Sequence, residues 1–183
     1  MQKRSHTLLA RMLLRNEQGF TARRYELAFL FGSFQPDVNP LSYLKGSLHY
    51  HRLKGHHYVN SKAYINARIR KLQNRRRWTV WQYYTLGKLT HYLADAYTYP
   101  HNENYSCTLL DHHSYETSLR EYLRGYFAHC SLRRQQCRRD LVAALEELHE
   151  QYMATRASMY RDANYILKAT ALLMAGCLPS SAA

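Results

Sequence analysis

Between Trp78 and Ala96 the chain carries only two charges, Lys88 and Asp95, in a stretch otherwise mostly apolar and aromatic. Helical periodicity with so few charges marks a central, buried helix around which the rest of the chain must pack. Nearly every other long segment also has helical periodicity, and almost none alternates as a strand does. The sequence therefore predicts an all-α fold of six or seven helices, a single domain over residues 1–183. One helix is expected over Thr7–Arg15, with Leu9, Met12 and Leu13 on one stripe and an end near Gly19. A second is expected over Ala22–Phe31, stopped by Gly32-Ser33. Gln35–Tyr58, with Pro36, Pro40, Gly46 and Gly55, reads as a long functional loop holding His49, His51, His56 and His57. Asn60-Ser61 opens Lys62–Leu72, which runs into Arg75–Arg77. After the polar turn Asn102–Cys107, helices are expected over His112–His129, Arg133–Arg156 and Met159–Gly176.

Composition bounds the partners. Twenty-six Lys and Arg against thirteen Asp and Glu give a formal charge of +13, which favours anionic partners: phosphate esters, an anionic membrane surface or nucleic acid. A hydrophobic fraction of 46% excludes a disordered chain. Cys107, Cys130, Cys137 and Cys177 form neither a Cys-x-x-Cys pair nor a disulfide-type spacing, so reduced thiols are expected. Arg11 interrupts the N-terminal apolar run and no small-residue cleavage site follows. Ala169–Leu178 is too short to span a bilayer. These features together predict a cytoplasmic protein.

The chemistry-bearing residues concentrate near the end of the central helix. His91, Asp95 and His101 follow the order His-x3-Asp-x5-His. His91 and Asp95, four apart, stack on one helical face, and His101 follows Pro100, where the helix breaks. His112 and Glu116 repeat the four-residue spacing, with Glu116 on the stripe of Leu119 and Leu123. Roughly one such His–acid pair is expected by chance from this composition, so placement matters more than number. A buried carboxylate needs a cation, either an Arg or a metal. With histidines at i−4 of both acids, a metal is the more economical partner, and imidazole with carboxylate and no thiolate suits zinc in a catalytic site.

At these residues the chain resembles the zinc-dependent phospholipase C family, which is related to the single-strand-specific zinc nucleases. His91–His101 (HYLADAYTYPH) is similar to that family's His-Tyr-Leu-x-Asp-x5-His signature, and His112–Glu116 (HHSYE) to its His-x3-Glu segment. Phe29–Pro40 resembles its Gly-Ser-x-x-Pro-Asp segment, and His6 sits where the family has an N-terminal histidine. The resemblance implies up to three zinc ions. One would be held by Asp37, a loop histidine, His91 and one Asp95 oxygen, and a second by His6 and the other Asp95 oxygen. A third would be held by His101, His112 and Glu116. For the loop histidine the assignment is His56, with His51 and then His57 as alternatives. The family's mature chains begin with a tryptophan whose amine and carbonyl bind zinc. Here Met1 precedes His6 and no tryptophan is near. The His6 site is therefore incomplete, uses the Met1 terminus, or stands empty.

The resemblance implies hydrolysis of phosphodiester bonds by metal-activated water, with a phospholipid head group as substrate and Asp37 as the residue that orients or deprotonates the water. A single-strand nuclease on the same cluster is the alternative enzyme, for which the charge and 17 tyrosines are suited. A metal-stabilised binding protein without turnover is the non-enzymatic alternative. Tyr97, Tyr99 and Tyr105 flank the ligands as pocket walls or as core. His113, His129 and His149 are expected in surface or packing roles, and Arg75–Arg77 and Arg133–Arg139 on solvated faces. Oligomeric state is not legible.

Overall fold

A computed structural model of the chain describes residues 1–17, 19–38, 58–102, 108–130 and 140–179. Among them are seven α-helices and no strand: α1 (Lys3–Asn16), α2 (Arg23–Val38), α3 (Tyr58–Gln73), α4 (Val80–Ala96), α5 (Leu109–His129), α6 (Leu141–Ala154) and α7 (Met159–Cys177). A short 3-10 turn, Tyr99–His101, lies between α4 and α5. The all-α expectation holds. Helix α4 is the centre of the packing and touches α1, α2, α3 and α7. Leu9, Phe29, Ile65, Leu86, Leu119, Leu141 and Ile166, one from each helix, join one hydrophobic cluster. Each fully buried leucine or phenylalanine contributes roughly 1.5–3 kcal/mol.

Local chemistry sets the helix starts. Thr79 caps α4: its hydroxyl accepts from Trp81 N–H, and its own N–H donates to Gln82 Oε1. Thr108 and Asp111 form the same reciprocal box ahead of α5, and the Ser158 hydroxyl accepts from Arg161 N–H at the head of α7.

Three boundaries differ from the sequence expectation. Helix α2 does not stop at Gly32-Ser33 but continues to Val38, with Pro36 inside it, so Gln35–Val38 is helix rather than loop. Gly32 acts in a helix contact. A Cβ there would collide with the Tyr84 carbonyl, and one at Gly87 with the Phe29 carbonyl, so the paired glycines let α2 and α4 meet backbone to backbone. Helix α3 begins at Tyr58, so Asn60 and Ser61 lie inside it rather than capping it. Helix α1 also starts earlier than expected, at Lys3, which puts His6 on a helix and on the buried face shared with Ala10 and Leu13. The remainder of the expected loop, with His49, His51, His56 and His57, lies outside the described residues, as do Tyr105, Cys107 and Arg133–Arg139.

Candidate metal centre

Five elements deliver the acids and histidines to one place. Helix α1 brings His6, the end of α2 brings Asp37, α4 brings His91 and Asp95, the 3-10 turn brings His101, and α5 brings His112 and Glu116. Two groups result, His6–His91–Asp95 and His101–His112–Glu116. Within each, the possible ligand atoms all lie within 4.8 Å of one another. The two Asp95 oxygens face different histidines: Oδ1 is 3.2 Å from His6 Nε2 and Oδ2 is 3.2 Å from His91 Nε2. Asp37 joins this group, with Oδ1 3.6 Å from His91 Nε2 and Oδ2 3.9 Å from His6 Nε2. In the second group one oxygen of Glu116 meets both rings, at 3.3 Å from His101 Nε2 and 3.1 Å from His112 Nε2. His56, the expected loop ligand, lies outside the described residues.

The orientation of His91 explains the Gly-Ser segment of α2. Its Nδ1 lies 3.0 Å from the Ser33 carbonyl, which only accepts, so Nδ1 donates there and the ring turns Nε2 toward the carboxylates. The glycine contact brings the α2 backbone close enough for that bond. The ring of His6 stacks on that of His91 at 3.8 Å between centroids.

Buried polar atoms converge here with fewer hydrogen bonds than they can make. His6 Nδ1, His6 Nε2 and Asp37 Oδ2 are buried with no hydrogen bond of proper geometry among the described residues, despite the close approach of His6 to Asp95. Burial, reinforced by the nearby His91, holds His6 down to about 3, so it stays neutral. Burial and the Met1 terminus lower His101 as well. Burial works against the ionised form of Asp95, but the terminal ammonium beside it outweighs this and holds the group well below the usual carboxylate range. Glu116 is likewise lowered: burial opposes ionisation, and its bonds to His101 and His112 prevail. Asp37 goes the other way, raised to about 6 by burial. A neutral His6 beside an ionised Asp95 has the protonation states that divalent zinc takes in its ligands. The separations also fit, because donors bound at about 2.1 Å around a tetrahedral ion stand about 3.4 Å apart.

A cation already stands between the two groups. The Met1 ammonium donates to Asp95 Oδ1 at 2.6 Å and lies 3.0 Å from Glu116 Oε1 and 3.1 Å from His101 Nε2. Burial alone would discharge this amine, yet Asp95 and Glu116 raise it to about 10. Of the three expectations for the N-terminus, the arrangement has the Met1 amine inside the cluster; among the described residues no Arg plays that part. Among the other residues, Tyr97 is fully buried and donates to the Leu145 carbonyl, so it is core and not pocket wall. His113 and His129 are exposed. His149 is buried, its Nε2 3.2 Å from the Ala96 carbonyl and 3.1 Å from Asn102 Oδ1.

Sequence reasoning missed one residue that bears on the site. Asp162 of α7 is fully buried, and its Oδ2 accepts from Tyr99 N–H at 2.7 Å and Tyr115 O–H at 2.8 Å. Its Oδ1 accepts from Tyr152 O–H and from the Arg161 guanidinium. Asp162 thus ties the turn carrying His101 to the helix carrying Glu116. A signal was present: Asp162 begins the stripe Ile166–Ala169–Leu173, an acid on an apolar face like Asp95 in α4.

No curated protein and no solved structure matches this chain significantly. A family model described as "Zinc dependent phospholipase C" matches residues 5–165, which includes every candidate ligand named above. The chain therefore belongs to the zinc-dependent phospholipase C family.

Proposed function

We propose that this protein is a zinc-dependent hydrolase of phosphodiester bonds that releases phospholipid head groups. The observation that carries the reading is the convergence of His6, Asp37, His91 and Asp95 beside His101, His112 and Glu116, with His6 and Asp37 atoms buried without a hydrogen bond among the described residues. In this reading Asp95 would serve both the His6 and the His91 side, since its two oxygens face these rings separately. His101, His112 and Glu116 would hold a further ion, and a loop histidine, His56 first, would complete the Asp37 side. Bound zinc would lower the pKa of a coordinated water from ~15.7 toward ~7 and offset charge on the phosphoryl oxygens.

The chain's own residues divide the remaining work. His6, His91 and Asp95 are almost wholly buried, whereas Asp37 and His112 reach solvent, with side-chain exposures of 18% and 31%. Substrate would therefore approach from the side of Asp37 and His112. Asp37, at about 6, is the acid nearest neutrality in the cluster, as a group that accepts a proton from the attacking water and later returns it should be. Ser33 keeps the His91 ring turned inward, and Asp162 holds the His101 turn against α5.

The test is head-group release from phospholipid and cleavage of single-stranded DNA, each by protein of known zinc content. The account predicts zinc-dependent head-group release, abolished by Asp95→Asn. Cleavage of DNA alone would transfer the cluster to the nuclease alternative. Bound zinc without turnover on either substrate would favour the binding-protein alternative.

A further inference from the structure

Helix α2 is apolar on two opposite sides, and α4 needs only one of them. Ala28, Phe29, Gly32, Ser33 and Pro36 form the buried side. Leu27, Phe31, Phe34 and Val38, spaced four, three and four apart, form a second stripe on the opposite side. Leu27 is 54% exposed, Phe31 52% and Val38 49%, and Trp81 at the start of α4 is 70% exposed. Ring contacts make the surface continuous: Phe31 lies 5.7 Å from Phe34 and 5.8 Å from Tyr84, and Tyr84 lies 6.1 Å from Trp81. Scattered surface apolar residues need no explanation, but a contiguous patch of this kind marks an interaction site.

The charges around the patch say what it fits. Lys3 Nζ lies 4.8 Å over the Phe34 ring and Lys88 Nζ 5.9 Å over Tyr84. Each ammonium is thus held beside the apolar surface, the arrangement in which lysine stems lie along an apolar layer and their heads reach anionic groups. Glu26, the acid of α2 other than Asp37, lies off the stripe. A second copy of this chain would bring like charges together across the patch. Single-stranded nucleic acid would use the rings but leave Leu27 and Val38 without a role. An anionic lipid surface uses both, with aromatic and aliphatic side chains at the acyl boundary and lysines among the head groups.

We propose that the stripe Leu27–Phe31–Phe34–Val38, with Trp81 and Tyr84, is the face by which this protein seats on an anionic phospholipid surface. The stripe ends at Val38, the residue after Asp37, at the end of α2 that carries Asp37 to the metal centre. Seating needs the face and not the metal, and it goes beyond the hydrolase reading.

The test is cosedimentation of the full chain with vesicles of phosphatidylglycerol and phosphatidylcholine, compared with phosphatidylcholine alone. The chain has two tryptophans, so Trp78→Phe leaves Trp81 as the reporter. Its emission should shift to the blue on anionic vesicles, and the partition should weaken as salt rises. The combined variant Leu27→Ser/Phe31→Ser/Trp81→Ser should lose on the order of tenfold or more in partition, while its circular dichroism and its zinc content match the parent's. Trp81→Ser alone should show a smaller loss in the same direction, which keeps the test usable if the combined variant misfolds. Asp95→Asn should bind vesicles like the parent, so loss of hydrolysis and loss of seating are told apart. An unshifted Trp81, a partition indifferent to these substitutions, or a concentration-dependent dimer that shields Trp81 from a soluble quencher would overturn the proposal.

Discussion

The protein buries carboxylates in two places about which it does opposite things. At Asp162 every lone pair in sight is answered: Tyr99 N–H, the hydroxyls of Tyr115 and Tyr152, and the Arg161 guanidinium all donate to it. Around Asp95 stand two imidazoles and Asp37, with both His6 ring nitrogens and Asp37 Oδ2 buried without a hydrogen bond among the described residues, and the Met1 ammonium donates to Asp95. A buried acid with a full set of donors is a structural knot. A buried acid among lone pairs is a site that requires a cation. The difference lies in the partners, since both acids sit on the apolar face of a helix.

The largest effect expected from this contrast is on turnover. Asp95→Asn should reduce hydrolysis by about a thousandfold or more, on the order of 4 kcal/mol of barrier, and steady-state assays at saturating zinc would measure it. A variant with parental turnover would place the bridging role elsewhere. Asp162→Ala should act on stability instead. It strands Arg161 without its buried partner, which costs roughly 3–5 kcal/mol, and urea unfolding should give the same loss with zinc present or removed. A loss seen only with zinc would make Asp162 part of the metal site.

A smaller effect should follow at the helix contact. Gly87→Ala pushes α2 from α4, costing about 1–3 kcal/mol by overpacking. It also takes the Ser33 carbonyl from His91, so zinc affinity should fall about 10–100-fold. Equilibrium dialysis would detect this, and unchanged affinity would show that Ser33 does not orient His91.

The smallest effect concerns His149, which belongs with the fully bonded region. Burial holds its ring down to about 4 against an ordinary 6.5, despite the bond to the Ala96 carbonyl. The folded protein therefore keeps this ring neutral while the unfolded chain protonates it, so its contribution is whole above 6.5 and declines as pH falls toward 4. His149→Gln should flatten the pH dependence of unfolding over that window by at most about 1.4 kcal/mol per pH unit. Parallel curves for the two proteins would contradict a buried neutral ring.

What was legible in the sequence follows from how local each signal is. The pairing of His91 with Asp95 and of His112 with Glu116 is set by one turn of helix, so spacing sufficed. Gly32-Ser33 misled because a glycine's local meaning is a stop, while here its meaning comes from Gly87, far along the chain. Pro36 likewise stands inside α2, which continues to Val38 although proline lacks the N–H that would bond four residues back. The partners of Asp162 come from Tyr99, Tyr115 and Tyr152, and no spacing rule joins those positions. Its place on an apolar stripe was the available clue, and the same clue at Asp95 attracted notice because histidines stood beside it.

The most direct measurement is a calorimetric titration of zinc into metal-stripped protein, repeated on Asp95→Asn. The account predicts tight, stoichiometric uptake by the parent and a large loss of affinity in the variant. A parent that takes up no zinc, or a variant that binds it as the parent does, would contradict the claim that these buried lone pairs form a metal centre.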